Sequence, residues 1–530
     1  MAGDDSVLVV GAGPTGLALA CELRRRGVPC AVVEARVRRG DRSKAIAIWP
    51  RVLEILADLG AADEAVDRGI RLAGATAWSH GRPTLSFGLH DMPSRFPFGL
   101  VLPQYETEEI LERRLAALGG EVERGVACVA VRADPLGVTV VLRHPGGTEE
   151  RRFGWVVGCD GSDSVVRAAA GIAMRQRLEP EGWIGADVRL STALEPTRVN
   201  YFLSAGEVLH VVPLRAGGGT PTWRITMNVG KTRPDPADWP LERLAAEAAR
   251  RAAVPVRVHE TEWVTGFRVR QGLATRFRLG RVLVAGDAAH VHSPAGAQGI
   301  NSGLQDAANL GWKLARVCRG SSSAELLNSY DVERRPAAAA VVAATDRATR
   351  AGTLRSPVAV GARDGLWRAA MRLGVVDRYA APAMAGLTQR YRRSAVSPGR
   401  RPLLPFAPGP GGRLPNVTVG DARLWDLLPD GFCVLLVGPA GPALHGLPAA
   451  LPVLRLPQRQ VAQALRVRRP TAVVVRPDRY VALLCPADRT AAITRYVDTI
   501  EEVPDAPGRR HDREHDDRGA GGVPLDPSRD

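Results

Sequence analysis

Three glycines near the start of the chain have the spacing of a turn that binds phosphate groups. Gly11, Gly13 and Gly16 follow a short β-branched run that predicts a strand buried on both faces, and they precede a stretch with helical apolar spacing. The first glycine allows a tight turn, the second lets the backbone approach a pyrophosphate, and the third lets the helix pack against the strand. Pro14 and Thr15 complete the turn, and the positive end of the helix dipole then faces the phosphates.

An acidic residue ends the second predicted strand. Glu34 lies 18 residues beyond Gly16, where a carboxylate accepts both hydroxyl protons of an adenosine ribose and repels a 2′-phosphate. Strand, turn, helix, second strand and acid together predict a dinucleotide site. Because NAD and FAD enzymes share this arrangement, the identity of the dinucleotide is still open at this point.

A distant strand ends in Gly286 and Asp287 and favours FAD. Open α/β sheets bind ligands at the carboxyl ends of their strands, so Asp287 can reach the ribityl or pyrophosphate part of a nucleotide. A helix is predicted from about 301 to 318, and the amides at its start could stabilise the negative charge of a reduced flavin. NAD-binding folds have no use for this second element. The residues that lead into the helix and are assigned to the cofactor site are Pro294, Gly296, Gly299, Ile300 and Asn301.

A third strand and turn contain Asp160 and Gly161, and Ser162 or Asp163 can cap the helix that follows. Taken alone, a capped turn without any ligand explains this segment equally well. Beside the other two segments, we assign Asp160 to the cofactor site.

Composition and charge argue against several other classes of protein. The net charge is +15, but only three of the 71 basic residues are Lys and the Arg residues are scattered, so no nucleic-acid partner is expected. The seven cysteines are odd in number and lack Cys-x-x-Cys spacing, and the pair His290 and His292 lacks a third ligand, so no disulfide framework or metal is expected. The apolar run at 7–10 is too short for a signal peptide or a membrane span. We therefore expect a cytoplasmic protein without a membrane partner.

The three segments together resemble the class A FAD-dependent aromatic monooxygenases, in the branch of the phenol and aromatic polyketide hydroxylases. The resemblance covers residues from about 6 to 335. Within this range it includes the stretch from the Gly286-Asp287 segment through Trp312-Lys313-Leu314. It also places Gln104 and Lys44 at the flavin cofactor. Lys44 stands where many relatives carry Arg, and Ala297 stands where a second consecutive glycine is common.

The resemblance implies an α/β FAD-binding fold of the aromatic hydroxylase type, with a β-sheet substrate layer and a C-terminal thioredoxin-like α/β domain. Because the C-terminal unit has no Cys-x-x-Cys pair, it is expected to serve packing or dimerisation. The expected parts are the discontinuous FAD-binding domain at 1–74, 98–180 and 271–350, the substrate sheet at 75–97 and 181–270, a helical segment at 351–396, a Pro-rich linker at 397–416, the thioredoxin-like domain at 417–503 and a disordered tail at 504–530.

The activity implied by the resemblance is hydroxylation of an aromatic, polycyclic polyketide-type substrate. FAD takes a hydride from transiently bound NADPH or NADH, O2 then forms a flavin hydroperoxide, and its distal oxygen is transferred to the aromatic ring. A homodimer is compatible with the sequence. Three alternatives stay open: a monooxygenase that inactivates a tetracycline- or rifamycin-like antibiotic, an oxygen-independent FAD reductase or dehydrogenase, and a non-catalytic nucleotide-fold binding protein.

No catalytic residue is assigned from the sequence. His210 and Trp223 on predicted strands suggest a base and a stacking wall, but a lone His or Trp on a strand is more often a packed sheet residue. The cluster Arg334-Arg335 is expected at the exposed end of a helix.

Overall fold

The computed structural model describes residues 6–40, 45–215, 221–230, 232–252, 254–399, 408–438, 447 and 451–501. The first third of the chain contains helices α1 (Pro14–Arg25), α2 (Pro50–Asp58), α3 (Ala62–Arg68), α4 (Gln104–Ala117) and α5 (Val165–Ala169). Its strands are β1 (Val7–Val10), β2 (Cys30–Glu34), β3 (Ala47–Ile48), β4 (Ile70–Leu72), β5 (Gly74–Ser79), β6 (Arg82–Gly88), β7 (Gly99–Val101), β8 (Val122–Arg124), β9 (Ala127–Ala133), β10 (Val138–His144), β11 (Gly147–Phe153) and β12 (Trp155–Gly158).

The remaining elements lie in the substrate layer, the rest of the nucleotide-binding fold and the C-terminal unit. The helices are α6 (Leu241–Ala252), α7 (Gly299–Cys318), α8 (Asn328–Gly352), α9 (Pro357–Arg372), α10 (Ala381–Met384), α11 (Arg459–Leu465) and α12 (Thr490–Glu501). The strands are β13 (Met174–Thr192), β14 (Arg198–Ser204), β15 (Glu207–Arg215), β16 (Thr222–Asn228), β17 (Val256–Ala274), β18 (Arg278–Leu279), β19 (Val282–Val284), β20 (His290–Val291), β21 (Thr418–Val419), β22 (Ala422–Arg423), β23 (Cys433–Val437), β24 (Val453–Leu456), β25 (Thr471–Val475) and β26 (Val481–Pro486).

The nucleotide-binding sheet has the strand order β18-β19-β12-β1-β2-β8, and β19 through β8 run parallel. Strand β1 is apolar at every position because both faces of the sheet are covered. Val7 and Val9 belong to the core beneath α1 and α7, whereas Leu8 and Val10 pack with the small sheet β9–β11. This burial fixes the edge at which the cofactor turns emerge.

The substrate layer is a mixed sheet in the order β20-β17-β13-β16-β15-β14-β5-β6. Strands β13 and β17 are each 19 residues long and carry the chain from the nucleotide-binding fold into this layer. Helix α6 packs on one face, where Leu244 and Ala248 join a core with Ile225 and Met227. The opposite face looks toward the nucleotide-binding fold.

The C-terminal unit has the order β24-β23-β25-β26, with a parallel pair β23–β24 and antiparallel pairs β23–β25 and β25–β26. Helix α12 packs on one face and α11 on the other. The predicted fold class, including the thioredoxin-like domain, is confirmed.

A buried network of charges joins the C-terminal unit to α7 and α8. Glu333 accepts hydrogen bonds from Arg476 Nη1 and Nη2 at 2.5 and 2.9 Å, and from Lys313 Nζ at 2.7 Å. Arg476 also bonds both carboxylate oxygens of Asp478. Burial opposes ionisation of Glu333, but Arg476 and Lys313 hold the pKa of its carboxyl well below the usual range. Removing one member would leave buried charge without its partner, so the network fixes the docking of the unit.

The segment expected to be an extended linker is packed where the structure describes it. Leu414 is fully buried, and Arg413 forms an ion pair with Glu54 of α2. Isolated antiparallel β-bridges join Arg390 to Gly412 and Arg413 to Tyr480. Residues 408–416 therefore belong to the interface with the nucleotide-binding fold, while 400–407 and the predicted tail at 504–530 lie outside the described residues.

Candidate cofactor and substrate site

The turns after four adjacent parallel strands form one edge of the nucleotide-binding sheet. In the order β19, β12, β1 and β2, these strand ends present Asp287, Asp160, Gly11 and Glu34. Residues from three separate segments of the sequence are thus brought into one line, at the edge where open α/β sheets bind ligands. An elongated dinucleotide fits a line of this kind.

The three glycines of the first turn have different structural roles. Gly11 has φ of +103°, and a Cβ there would lie 2.4 Å from the carbonyl oxygen of Cys159. A Cβ at Gly16 would lie 2.0 Å from the carbonyl oxygen of Gly11. By contrast, a Cβ at Gly13 would meet no described atom within 4 Å. Gly11 and Gly16 are required by packing, whereas Gly13 borders open space at the start of α1.

Glu34 is held in its ionised form beside this space. Its Oε2 accepts a hydrogen bond from the amide of Ala12 at 3.0 Å, and its Oε1 accepts from the amide and Nε of Arg36 at 3.0 Å each. Burial opposes ionisation, but these donors lower the pKa of Glu34. The carboxylate therefore stays an acceptor, as a ribose diol requires.

Thr15 locks the first turn against two later segments. A Cβ at Gly303 in α7 would lie 2.2 Å from Thr15 Oγ1, and a Cβ at Gly286 would lie 2.6 Å from the same atom. Gly286 also has φ of +61°. The Thr15 hydroxyl is thus the point at which three parts of the fold meet: the β1–α1 turn, the turn after β19 and helix α7.

This contact predicts a compensating pair of substitutions. Gly303→Ala should lower the free energy of unfolding by about 2 kcal/mol, because the new methyl overlaps Thr15 Oγ1. Thr15→Ala alone should cost less than about 1 kcal/mol, and the double variant should regain at least half of the loss. Urea unfolding of the apoprotein measures all three. Additive single effects would show that the two residues do not touch.

Asp160 and Asp287 present their side chains differently. Asp160 Oδ2 accepts a hydrogen bond from Val166 N at 3.1 Å, which caps α5, while its Oδ1 is buried without a partner in the described part of the chain. Asp287 lies exposed at the end of β19. A buried carboxylate oxygen without a partner is costly, so Asp160 points to a missing donor.

Asn301, in the first turn of α7, ties that helix to β3. Its Oδ1 accepts a hydrogen bond from Trp49 N at 2.7 Å, and its Nδ2 donates to the carbonyls of Ala47 and Ala297 at 2.9 and 2.7 Å. Trp49 Nε1 in turn donates to the carbonyl of Gly296 at 2.9 Å. This network fixes the loop that runs into α7.

The other predicted site residues surround this loop and its neighbour β3. Gln104 starts α4, where its backbone N–H donates to the carbonyl of Ala45 at 3.1 Å and its Nε2 donates to Glu108 at 2.9 Å. The carbonyl of Pro294 accepts a hydrogen bond from the amide of Ala297 at 2.9 Å. Gly299 is the first residue of α7, and Ile300 is buried. Lys44 lies outside the described residues.

Ala297 adopts a left-handed backbone conformation with φ of +52°. This conformation is strained for a residue with a Cβ, so the alanine noted in the sequence carries a structural cost. We predict that Ala297→Gly raises the free energy of unfolding by about 0.5–1 kcal/mol, because relief of strain exceeds the entropy that glycine gains when unfolded.

Ala295→Gly provides the matched control, since Ala295 has no positive φ and should only lose stability. Thermal unfolding of both variants measures the difference. A loss of stability in Ala297→Gly equal to that in Ala295→Gly would contradict the strained conformation.

Asp306 organises the turn after β19 and was not assigned to the site from the sequence. Its Oδ2 accepts hydrogen bonds from Gly286 N at 3.0 Å and from His290 Nε2 at 2.6 Å, and its Oδ1 accepts from Arg334 Nε at 2.7 Å. Although burial opposes ionisation, His290 and Arg334 lower the pKa of Asp306.

The expectation that Arg334 lies at an exposed helix end is therefore wrong: Arg334 is 1% exposed inside α8, because it pairs with this buried carboxylate. Its neighbour Arg335 points outward, with a side chain that is 40% exposed.

His210 and Trp223, which the sequence suggested as a base and a stacking wall, lie on opposite faces of the substrate layer. Trp223 is buried under α6 with Ile225 and Met227. His210 lies on the opposite face, which is only partly buried. Trp223 is thus a core residue, and His210 faces the nucleotide-binding fold.

Comparison with known proteins identifies the family. The profile described as "FAD binding domain" matches residues 4–345. This chain belongs to the FAD-dependent aromatic monooxygenases. FAD is accordingly its cofactor, and the residues present fit FAD: Gly13 borders open space, Glu34 is an ionised acceptor, and Asp160 Oδ1 is an unpaired buried atom at the same edge.

Three relatives of this monooxygenase show how far the similarity extends. The 6-methylpretetramide 4-monooxygenase of Streptomyces rimosus is 40% identical over 67% of this chain, which covers 63% of that protein. The dialkyldecalin synthase of Streptomyces rugosporus is 31% identical over 91% of this chain and 96% of its own. The solved structure of the anhydrotetracycline hydroxylase OxyS from Streptomyces rimosus superposes with a TM-score of 0.76, at 29% identity, over 94% of this chain and 99% of that one.

The described part of this monooxygenase has neither a candidate membrane span nor a candidate metal cluster. There, no helix is long and apolar enough to cross a membrane, and no group of three or more His, Cys, Asp or Glu side chains could hold a metal ion. All seven cysteines are free thiols. His290, considered above as half of a metal pair, bonds Asp306 instead.

Proposed function

We propose that this monooxygenase hydroxylates a polycyclic aromatic substrate of the polyketide type, with NAD(P)H as electron donor and O2 as oxygen source. One observation carries the proposal: the cofactor edge lies beside a sheet whose facing side is half-buried and holds aromatic side chains. Trp183, Tyr201 and Phe267 are on that side. Pockets for small aromatic ligands combine apolar walls with a few polar groups in this way. The names of the tetracycline-pathway relatives support a polycyclic substrate.

We assign the cofactor contacts residue by residue along the edge. The amides after Gly13, with Pro14, Thr15 and Gly16, receive the pyrophosphate, and Glu34 receives the ribose hydroxyls. Asp160, Asp287 and Gln104 are assigned to the path toward the flavin, and Lys44 is assigned to the cofactor from the resemblance alone. The loop and first turn of α7 flank the ring through Pro294, Gly296, Gly299, Ile300 and Asn301.

The chain's own groups position and shield the reaction. When bound, FAD accepts a hydride from NAD(P)H and activates O2, and the net reaction gives hydroxylated product, NAD(P)+ and water. The start of α7 presents backbone amides with the positive end of its dipole toward the ring. The facing sheet must hold the substrate above that ring and exclude water.

The dialkyldecalin synthase supports a second candidate, a synthase reaction in place of hydroxylation, because that relative aligns over nearly its whole length. The same fold therefore has to be assayed for oxygen use directly.

A cytoplasmic location and a homodimer stay predictions from the sequence. Light scattering can check the homodimer.

The test is to load the purified protein with FAD and follow NADPH oxidation and O2 uptake with a panel of polycyclic phenols. The proposal predicts a yellow protein in which an accepted phenol accelerates both rates equally and yields a product one oxygen heavier. A substrate converted with no O2 uptake would favour the synthase-like candidate. A protein unable to take up FAD would overturn both.

A further inference from the structure

A row of side chains crosses the partly buried face of the substrate sheet. The register places these residues side by side on neighbouring strands: Ala77, Tyr201, His210, Thr226, Gly185 and Thr265. His210 and Tyr201 are the bulky polar members, and the row beyond His210 is small. A Cβ at Gly185 would make only ordinary contacts, the nearest at 3.5 Å. No large side chain therefore projects from the row itself beyond His210.

His210 has aromatic neighbours and, within the part of the chain that the structure describes, no hydrogen bond. Its ring centroid lies 4.7 Å from that of Tyr201 in an edge-on arrangement and 5.9 Å from that of Trp183. Among the described residues, neither the imidazole nitrogens nor the Tyr201 hydroxyl has a hydrogen-bond partner, and none of these atoms is among the fully buried unpaired ones. Both side chains are partly exposed, so their unpaired polar atoms are accessible to a ligand that could supply the partner.

The same face reaches the segments assigned to the cofactor. Ile46, Tyr201 and Val212 all pack against one cluster of buried side chains. Ile46 lies between Ala45, which accepts the backbone N–H of Gln104, and Ala47, which accepts the side chain of Asn301. His210 is thus separated from the flavin-flanking segments by a few side chains.

Helix α8 closes this region from the side. Its residue Thr349 bonds Ser293, next to the flavin-flanking loop, at 2.8 Å. A Cβ at Gly352 would lie 3.7 Å from Val208, the residue before His210 on the same face. The face around His210 therefore lies between α8 and the cofactor edge.

We infer that His210 is a catalytic residue that accepts a hydrogen bond from a phenolic hydroxyl of the substrate and receives its proton as oxygen is transferred. The inference rests on the proposed function. Tyr201 stands beside it as a donor to a second substrate oxygen.

The chemistry matches a weak, neutral base. Burial lowers the pKa of His210 to about 4, so the imidazole is an acceptor at neutral pH. It is too weak to ionise a phenol at rest. When the ring carbon bonds to the incoming oxygen, positive charge develops on the phenolic oxygen, and its O–H becomes acidic enough for His210 to take the proton. Loss of the ring hydrogen as a proton then restores the aromatic ring, and this proton leaves in the water formed from the second oxygen atom of O2. His210 returns its own proton to the phenolic oxygen.

Charged groups on neighbouring strands are already paired. Arg224 of β16 bonds Asp187 of β13, one row away on the same face. Glu207 of β15 pairs with Arg250 at the exposed end of the strand. From β14, Tyr201 keeps its proton because burial raises its pKa to about 12. His210 is therefore the neutral acceptor of this row.

Two substitutions separate hydrogen bonding from proton transfer. The wild-type holoenzyme should bind the phenol about tenfold more tightly than its methyl ether, and His210→Phe should abolish this preference in Kd. The same substitution should also lower kcat about a hundredfold. In His210→Gln, the amide oxygen can still accept a hydrogen bond, so the Kd preference should persist while kcat falls about a hundredfold. The probe is whichever polycyclic phenol accelerates NADPH oxidation, paired with its methyl ether.

His259→Gln is the matched control, since His259 is exposed on β17 of the same sheet. It should change neither quantity, and FAD content checks the folding of each variant. A wild-type enzyme with no preference for the phenol, or a His210→Gln enzyme with unchanged kcat, would overturn the inference without affecting the proposed function. Absence of any hydroxylated product would instead remove the proposed function, and this inference with it.

Discussion

Gly13→Val is expected to fold like the wild type and to retain no FAD. A Cβ at this position would meet no described atom within 4 Å, and the backbone there is extended, so we expect the protein itself to accommodate valine. The same space at the start of α1 is where the pyrophosphate must contact backbone amides. Loss of these contacts should weaken FAD binding by at least about a hundredfold, since hydrogen bonds to charged groups contribute roughly 1.5–3 kcal/mol each.

The measurement is the ratio of flavin to protein absorbance after purification, with thermal unfolding of the apoproteins alongside. Gly431→Val is the matched control, because Gly431 also borders open space but lies far from the cofactor edge in the C-terminal unit. Gly11→Ala should behave oppositely to Gly13→Val and fail to fold, since its Cβ would overlap the carbonyl of Cys159. A Gly13→Val protein that keeps wild-type flavin content would refute the position of the phosphate site.

Arg334→Met should lower the free energy of unfolding by about 3–5 kcal/mol, because it leaves the buried carboxylate of Asp306 without its guanidinium partner. Arg335→Met should change it by less than about 0.5 kcal/mol, since Arg335 only approaches Asp331 at 3.4 Å near the surface. The two substitutions are chemically identical and adjacent, so their difference isolates the burial of Arg334.

Denaturant unfolding of both apoproteins gives the difference. Because Asp306 also holds Gly286 N and His290, the flavin content of Arg334→Met should fall as well. Equal stabilities of the two variants would show that Arg334 is solvated, as the sequence alone suggested.

Local structure in this protein follows closely from local sequence. The predicted helix at 301–318 is observed as Gly299–Cys318, and the strand predicted directly before Gly11 is observed as Val7–Val10. Both are apolar patterns with one periodicity, bounded by turn residues. The fold class was also accessible, because the three cofactor segments occur in the right order.

Burial of charge could not be predicted from local sequence. Arg334 and Glu333 have their partners 28 and 143 residues away, in Asp306 and Arg476, and an isolated charged residue is exposed by default. The same holds for Arg413 in the Pro-rich segment, which pairs with Glu54 across 359 residues. Long-range pairing overrode composition at each of these positions.

The roles of His210 and Trp223 depended on strand register. Both lie on strands with similar apolar runs, and a shift of one residue would exchange their faces. The observed pairing of His210 with Tyr201 and Thr226 puts it opposite the core that contains Trp223. Only the structure separates a candidate catalytic residue from a core residue here.

The most direct test of the proposed reaction is the origin of the oxygen atom in the product. The FAD-loaded enzyme should be supplied with NADPH and an accepted polycyclic phenol under isotopically heavy O2, and the product analysed by mass spectrometry. We predict that one heavy oxygen atom enters each product molecule for each NADPH consumed. A product that forms equally well without O2, or that takes its oxygen from water, would contradict the assignment of this protein as a monooxygenase.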